Sequence, residues 1–366
     1  SGRKLRENKT GIIEKRTSTW LMVMRSFSFY YQHLENVSRS FSFCISQLTS
    51  PAKEWVALSY LLLRVADSIE DAKWQDLQTQ SDSFAAFKSF LVQTPANDQF
   101  TKWLSSFPSQ LPLGEKQLLC AVPLLLEEKD NLPESIKQSV IKTILQVVDG
   151  MHYFLNHYHM EGKIVFPSLV TTNQYCFFVA GLVGKLLSHI FTDLLSNFKW
   201  TATLLNQAFH FGFFLQKINL LKDKVDDETS GRYFISSENS LRESLVIHAH
   251  HSLAYVKSIP IIEGRPYRLF CAWSLFIGLA SLKWLDKYGH RQKIKPRETY
   301  YLVNQINQLI DDNRALEKLF NSYLPGQYEE GSRYASESTK KIPTWFKKIY
   351  DGEMDSLTLF DLDIEV

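Results

Sequence analysis

The 366-residue sequence predicts an all-α fold. Three observations carry that reading. Apolar residues recur every three to four positions over segments too long for strands, no stretch alternates apolar and polar residues one by one, and the breaks fall on Pro, Gly or polar clusters. Hydrophobic residues make up 45% of the chain and aromatics 13%, with 25 Phe, enough for one large core and for lining an apolar cavity besides.

The first periodic segment covers 38–70. A second, 81–93, stops at Thr94-Pro95-Ala96-Asn97-Asp98, and a third, 113–127, follows the Pro- and Gly-bearing break at 108–114. Next come 133–158, 172–195 and 202–228, the last ending in the polar run 228–231. The series closes with 238–258, then 265–288 opening on Gly264-Arg265-Pro266, and 297–322. Nothing repeats and no linker divides the series, so one domain is expected over 30–325. A polar, basic extension at 1–29 precedes it, and a polar, acidic tail at 326–366 follows.

A net charge of +2 gives no reason to expect a nucleic-acid partner. The four cysteines, Cys44, Cys120, Cys176 and Cys271, lie far apart in apolar runs and read as reduced core residues, with no spacing that suggests zinc or a disulfide framework. The longest uncharged stretch, 269–282, is 14 residues, short of the roughly 20 that span a bilayer. We therefore expect a cytoplasmic monomer without an integral membrane segment. Trp345-Phe-Lys-Lys-Ile-Tyr350 is the one candidate for peripheral membrane contact.

The chemistry lies in two polar stripes on apolar helices. Tyr60, Arg64, Asp67 and Asp71 follow an offset of 0, 4, 7 and 11, one line along a helix, with Glu70 beside it and Leu61, Leu62, Leu63, Val65 and Ala66 between. Gln216, Asn219, Asp223 and Asp227 follow 0, 3, 7 and 11, with Asp226 adjoining. One Asp-x-x-x-Asp alone suits a solvated helix end as well; two stripes of matching geometry on apolar helices point to a ligand. Carboxylates do not bind a diphosphate directly, but a hard cation such as Mg²⁺ bridges the two. Two acidic stripes facing each other across a cavity would form such a clamp. Arg64, Lys222 and Arg232, the last after Gly231, are cations placed to meet phosphate oxygens.

These residues resemble the squalene/phytoene synthase family, and within it the squalene synthases, over about 30–325. Val37-Ser-Arg-Ser-Phe41 is similar to the family's N-terminal signature. Residues 60–71 and 223–232 resemble its two aspartate-rich motifs. Tyr175-Cys-Phe-Phe-Val-Ala-Gly-Leu-Val-Gly184 and Phe214-Leu-Gln-Lys-Ile-Asn219 are closer in form to squalene than to phytoene or dehydrosqualene synthases.

The resemblance implies an isoprenoid-synthase helical bundle around a central cavity. It also implies head-to-head joining of two farnesyl diphosphates to presqualene diphosphate, then Mg²⁺- and NADPH-dependent reduction to squalene. By the same resemblance Asp67, Glu70, Asp71, Asp223, Asp226 and Asp227 hold metal, and Ser38, Arg64, Lys222 and Arg232 bind diphosphate. Phe41, Tyr60, Tyr175, Gln216 and Asn219 line the reacting centre, with Gly181 and Gly184 leaving room for a prenyl tail or allowing close helix contact. Arg39, Lys293, Lys295 and Arg297 would take NADPH.

Four features depart from the family's pattern. Lys222 stands where Arg is usual and Asp226 where Glu is usual; Ser274-Leu275 stands where Pro-Gln usually follows Phe-Cys-Ala-x, and the basic segment Lys293-Ile-Lys-Pro-Arg297 is rearranged. The last two bear on the reductive step. Three alternatives stay open: a synthase stopping at presqualene diphosphate, one making dehydrosqualene without NADPH, and a non-catalytic prenyl-lipid binder on the same fold. A terpene cyclase would not account for the 175–184 and 214–219 segments.

Overall fold

The computed structural model describes residues 24–290 and 294–324. They form helices almost throughout, in two compact units divided between Ile141 and Lys142.

The first unit holds α1 (Phe27–Val37), α2 (Arg39–Ile45), α3 (Ala52–Asp71), α4 (Leu77–Val92), α5 (Asn97–Ser105), α6 (Leu113–Cys120), α7 (Val122–Asp130) and the start of α8 (Glu134–His157). The expected segment 38–70 is thus two helices, α2 and α3, with a turn that the apolar spacing did not reveal. Helix α3 packs against α1, α4, α6 and α7, with Leu61, Leu62, Val65, Ala66 and Ile69 fully buried. Asp76 starts α4 by accepting from the Thr79 N–H at 2.7 Å, satisfying one of the donors a helix start leaves unpaired.

In the second unit, β1 (His159–Met160) and β2 (Lys163–Val165) precede α9 (Leu169–Cys176), a π-helical turn (Phe177–Gly181) and α10 (Leu182–Leu194). Then come α11 (Ala202–Thr229), β3 (Arg232–Tyr233), α12 (Glu238–Ser258), α13 (Arg265–Tyr288), α14 (Pro296–Leu309) and α15 (Asn313–Tyr323). Helix α11 is the hub, packed against α9, α10, α12, α13 and the π turn. Its N-terminus is capped by Thr201, which accepts from the Leu204 N–H at 3.1 Å.

The small sheet was not legible in the sequence. β1 pairs antiparallel with β2 and β2 parallel with β3, bringing Ile164 opposite Arg232 and Val165 opposite Tyr233. Strands of two or three residues are too short to show alternation. Gly162 (φ +78°) and Gly231 (φ +80°) supply the left-handed backbone at the turns that lead into β2 and β3.

Two further expectations change. Cys44, Cys176 and Cys271 are buried thiols, but Cys120, at the end of α6, is exposed. Two helical stretches, Leu169–Leu194 and Arg265–Tyr288, are long and apolar enough to cross a membrane once one or two charges are tolerated. Within the fold their apolar windows are 67% and 78% buried, which accounts for that composition by core packing.

Candidate functional site

The first stripe is the accessible line of α3. From 54 to 70 every residue is buried except Tyr60, Arg64 and Asp67, and Asp71 is exposed one turn further on. Burial on the other faces explains why this helix is so apolar, and leaves four polar side chains on one open edge. Ser38, between α1 and α2, gives its hydroxyl to that of Tyr60, and burial pushes the Tyr60 phenol up from its usual range. Phe41 on α2 stacks on the Tyr60 ring, 4.8 Å between centroids and 12° from parallel. The expected residues of this unit therefore assemble: Ser38, Phe41, Tyr60, Arg64 and Asp67 form one connected group. Arg39 is exposed at the start of α2, and Glu70 is buried off the stripe.

Arg64 carries two carboxylate contacts, to Asp67 at 3.3 Å and to Glu115 on α6 at 2.9 Å. Its Nε is buried without a hydrogen-bond partner in the protein, an orphan donor of the kind a phosphate oxygen satisfies. Glu115 is a residue that sequence reading missed. It lies 51 positions from Arg64, and nothing in its own neighbourhood marks it. Although the Asp67 side chain keeps 36% of its surface open, loss of water to the protein packed around it is the largest influence and pushes its carboxyl up to about 6. Arg64 works against that, while Asp71 and Glu115 add to it.

The second stripe runs out of the core along α11. Gln216 is half-buried, and Asn219, Asp223 and Asp226 are exposed. Asp227 lies 3.9 Å from Arg232, which β3 holds in register beside Gly231. Lys217, between Gln216 and Asn219, has no exposed surface and turns away toward α12. Its place in the sequence assigns it no role; a lysine set among Phe213, Phe214 and Ile218 is the available signal.

Tyr175 is 4% exposed and stacks on Phe234 at 5.2 Å and 8°, with Phe154 and Phe166 at its edges. It belongs to a four-ring aromatic cluster. The glycines of the 175–184 segment take the close-contact reading instead of leaving room for a tail. A Cβ on Gly184 would lie 2.1 Å from the carbonyl oxygen of Ala208 on α11, and one on Gly181 3.2 Å from the Phe213 ring. Lys295 and Arg297 are exposed at the start of α14, and Lys293 lies outside the described residues. Ser274, where the resemblance expects Pro, is buried and donates its hydroxyl to the Phe270 carbonyl at 3.0 Å, and Leu275, where it expects Gln, is fully buried.

Among the described residues, no three His, Cys, Asp or Glu side chains gather in a way that would hold a metal ion unaided. The donors present are hard carboxylate and amide oxygens in rows. Such a set suits Mg²⁺, which keeps waters and takes phosphate oxygens alongside one or two carboxylates. Asp67, raised by burial, is a carboxylate whose charge a cation would compensate.

Comparison with known proteins gives one consistent answer. A family model described as squalene/phytoene synthase matches residues 34–246. The squalene synthase of Mycosarcoma maydis is 30% identical over 201 residues, 55% of this chain and 34% of that one. Those of Schizosaccharomyces pombe and Homo sapiens are 29% and 28% identical, over 56% and 57% of this chain and 43% and 46% of theirs. The matched stretches thus span less than half the length of these curated relatives. Among solved structures, TcSQS with the ligand E5700 superposes with a TM-score of 0.68 at 20% identity, covering 86% of this chain and 97% of that one. A dehydrosqualene synthase superposes at 0.51 and 16% identity, covering 80% and 98%. At these identities the structures speak for the fold.

Proposed function

The chain belongs to the squalene/phytoene synthase family, whose model covers more than half of it, and from that premise we propose that it condenses two farnesyl diphosphates head to head. The carrying observation is the stripe on α3: Tyr60, Arg64 and Asp67 are the only residues from 54 to 70 that are not buried. An edge that polar on a helix that apolar is suited to an anionic, metal-bridged ligand.

Under this reading Asp67, Asp71, Asp223 and Asp227 hold Mg²⁺, with Glu70 and Asp226 beside them. Bound Mg²⁺ supplies the positive charge that makes diphosphate a good leaving group. Arg64 offers its orphan Nε to diphosphate, Ser38 orients the Tyr60 hydroxyl, and Lys222 and Arg232 neutralise charge along the second stripe. The stacked Phe41 and Tyr60 present aromatic faces able to steady an allylic cation that water would quench. Tyr175, Gln216 and Asn219 complete the group assigned to the reacting centre. Making presqualene diphosphate then forms two carbon–carbon bonds of a cyclopropane, with loss of one diphosphate and one proton.

Reduction to squalene at the expense of NADPH is the second half of the proposal. Exposed Lys295 and Arg297, with Arg39 and Lys293, are the cations assigned to its phosphates. A second reading, arrest at presqualene diphosphate, is favoured by one observation. Ser274 and Leu275 are buried where the family pattern has Pro and Gln, and Ser274 gives its hydroxyl to the Phe270 carbonyl. The oily product suits work at a membrane surface, which vesicle flotation would test.

Incubation of farnesyl diphosphate and Mg²⁺ with and without NADPH, with products identified by mass spectrometry, tests both halves. We expect presqualene diphosphate without NADPH and squalene with it. No product in either case overturns the condensation. A product profile that NADPH leaves unchanged overturns the reduction and sustains the second reading.

A further inference from the structure

About 100° around α11 from its stripe lies a second polar feature, which the condensation does not use. Lys217 is fully buried. Its Nζ donates to Ser244 Oγ on α12 at 2.7 Å and lies 2.7 Å from Nε2 of His248. The other ring nitrogen of His248, Nδ1, is 2.8 Å from Nδ1 of His210, two turns back along α11. His251 stacks on His210 at 3.9 Å between centroids, buried and with neither nitrogen bonded to the protein.

With Lys217 as the ammonium, which can only donate, these contacts take one order of protons. The Ser244 hydroxyl donates to the Leu241 carbonyl at 2.7 Å, so it accepts from Lys217. His248, accepting at Nε2, carries its proton on Nδ1 and donates to Nδ1 of His210. The chain therefore runs from Lys217 through His248 to His210, joining two points on α11 through one residue of α12.

The rest of the buried α11 flank is apolar, including Phe213, Phe214, Leu220 and Leu221, and a further polar tie to α12 comes at its far end, where half-buried Lys224 donates to Glu238 at 2.8 Å. Apolar burial holds helices together but has no direction, so it resists rotation weakly. Hydrogen bonds with fixed donors and acceptors resist it strongly.

We propose that Lys217 is a positioning residue for the second stripe: its bonds to Ser244 and, through His248, to His210 lock the rotation of α11 and so the direction in which Gln216, Asn219 and Asp223 project. The inference rests on the reading of that stripe as the holder of Mg²⁺ and diphosphate.

The ionisable surroundings agree. Burial pushes the Cys176 thiol on α9 up to about 12, so it stays neutral beside the lysine. Burial also lowers His210 and His248 well below the ordinary imidazole range, and takes His251, next to the likewise lowered His250, to about 4. Lys217 falls to about 7 by the same cause; the ammonium donates to His248 and the amine can donate or accept, so the bond is kept in either state. A proton added to His210 would set two N–H groups against each other and break the chain. Because these imidazoles are depressed, the stability they contribute is present above about pH 6.5 and lost as pH falls below it.

The test compares the full chain with Lys217→Met and with Lys217→Met/His248→Leu; the double variant leaves no unpaired imidazole facing the new methionine. Three quantities are read: the Mg²⁺ needed for half-maximal turnover of farnesyl diphosphate, Mg²⁺ binding with inorganic diphosphate by calorimetry, and amide exchange over 216–227 in the metal-free protein. We expect the double variant to melt cooperatively near the wild-type temperature. It should still need about tenfold more Mg²⁺ and exchange those amides about tenfold faster, because a misaimed ligand row is costly even in a stable fold. A Mg²⁺ requirement and exchange rate within roughly twofold of wild type would overturn the lock. If the wild-type chain neither binds Mg²⁺ with diphosphate nor turns over farnesyl diphosphate, the functional reading fails instead. The exchange measurement then still decides whether Lys217 holds α11.

Discussion

At Asp67 the fold sets a carboxylate where charge is costly. Partial loss of water on the edge of α3 raises its carboxyl to about 6, above the ordinary aspartate value, so its contribution to stability is present at low pH and lost as pH rises through 6. Asp67→Asn removes that cost. We expect the metal-free variant to melt at or above the wild-type temperature at pH 7.5, while turnover with saturating Mg²⁺ falls by about 100-fold. Asp223→Asn, on the exposed end of α11, should leave melting unchanged and reduce turnover by a similar factor of about 100. Near-wild-type turnover of Asp223→Asn at high Mg²⁺ would remove that residue from the metal-holding set. Both aspartates were legible in the sequence because a helix turns local spacing into a common face. Glu115 was not, since its link to Arg64 joins residues on different helices.

Among the elements, α11 and its neighbours show what spacing conceals. The periodic run at 172–195 is a helix, a π turn and another helix, and Gly184 and Gly212 let this run and α11 approach backbone to backbone. A Cβ on Gly184 would sit 2.1 Å from Ala208 O, and one on Gly212 2.2 Å from Ala180 O. Each alanine substitution forces a backbone apart, so Gly184→Ala and Gly212→Ala should each lose roughly 2–3 kcal/mol in urea unfolding. Apolar periodicity is nearly the same for an α-helix and for one with a single π turn. The interruption was therefore invisible, although the glycines themselves were plain.

On the scale of a whole unit, Arg268 shows how helix ends are tied together in the second one. Fully buried, it donates to the carbonyls of Val256, Ile259 and Ile310 and to the Asn313 side chain. Arg268→Leu leaves several carbonyls unpaired, and we expect a loss of about 3 kcal/mol in the same unfolding measurement, with secondary structure retained in circular dichroism. The small sheet works on this scale too, since β2 pairs with β3 from nearly seventy residues earlier in the chain and holds the strand that carries Arg232, 3.9 Å from Asp227.

The sequence by itself determined the helical class, the approximate extent of most helices, the two acidic stripes and the family. All of these rest on spacing within one helix or on short ordered motifs. Only the tertiary structure decided that Tyr60, Arg64 and Asp67 are the open edge of a buried helix, that Glu115 shares Arg64, that Gly184 serves helix contact, and that Lys217 joins Ser244 and His248. Each of those is a contact between elements remote in the chain. Periodicity says which face of a helix is buried, but the partner across that face is chosen by packing and hydrogen-bond geometry.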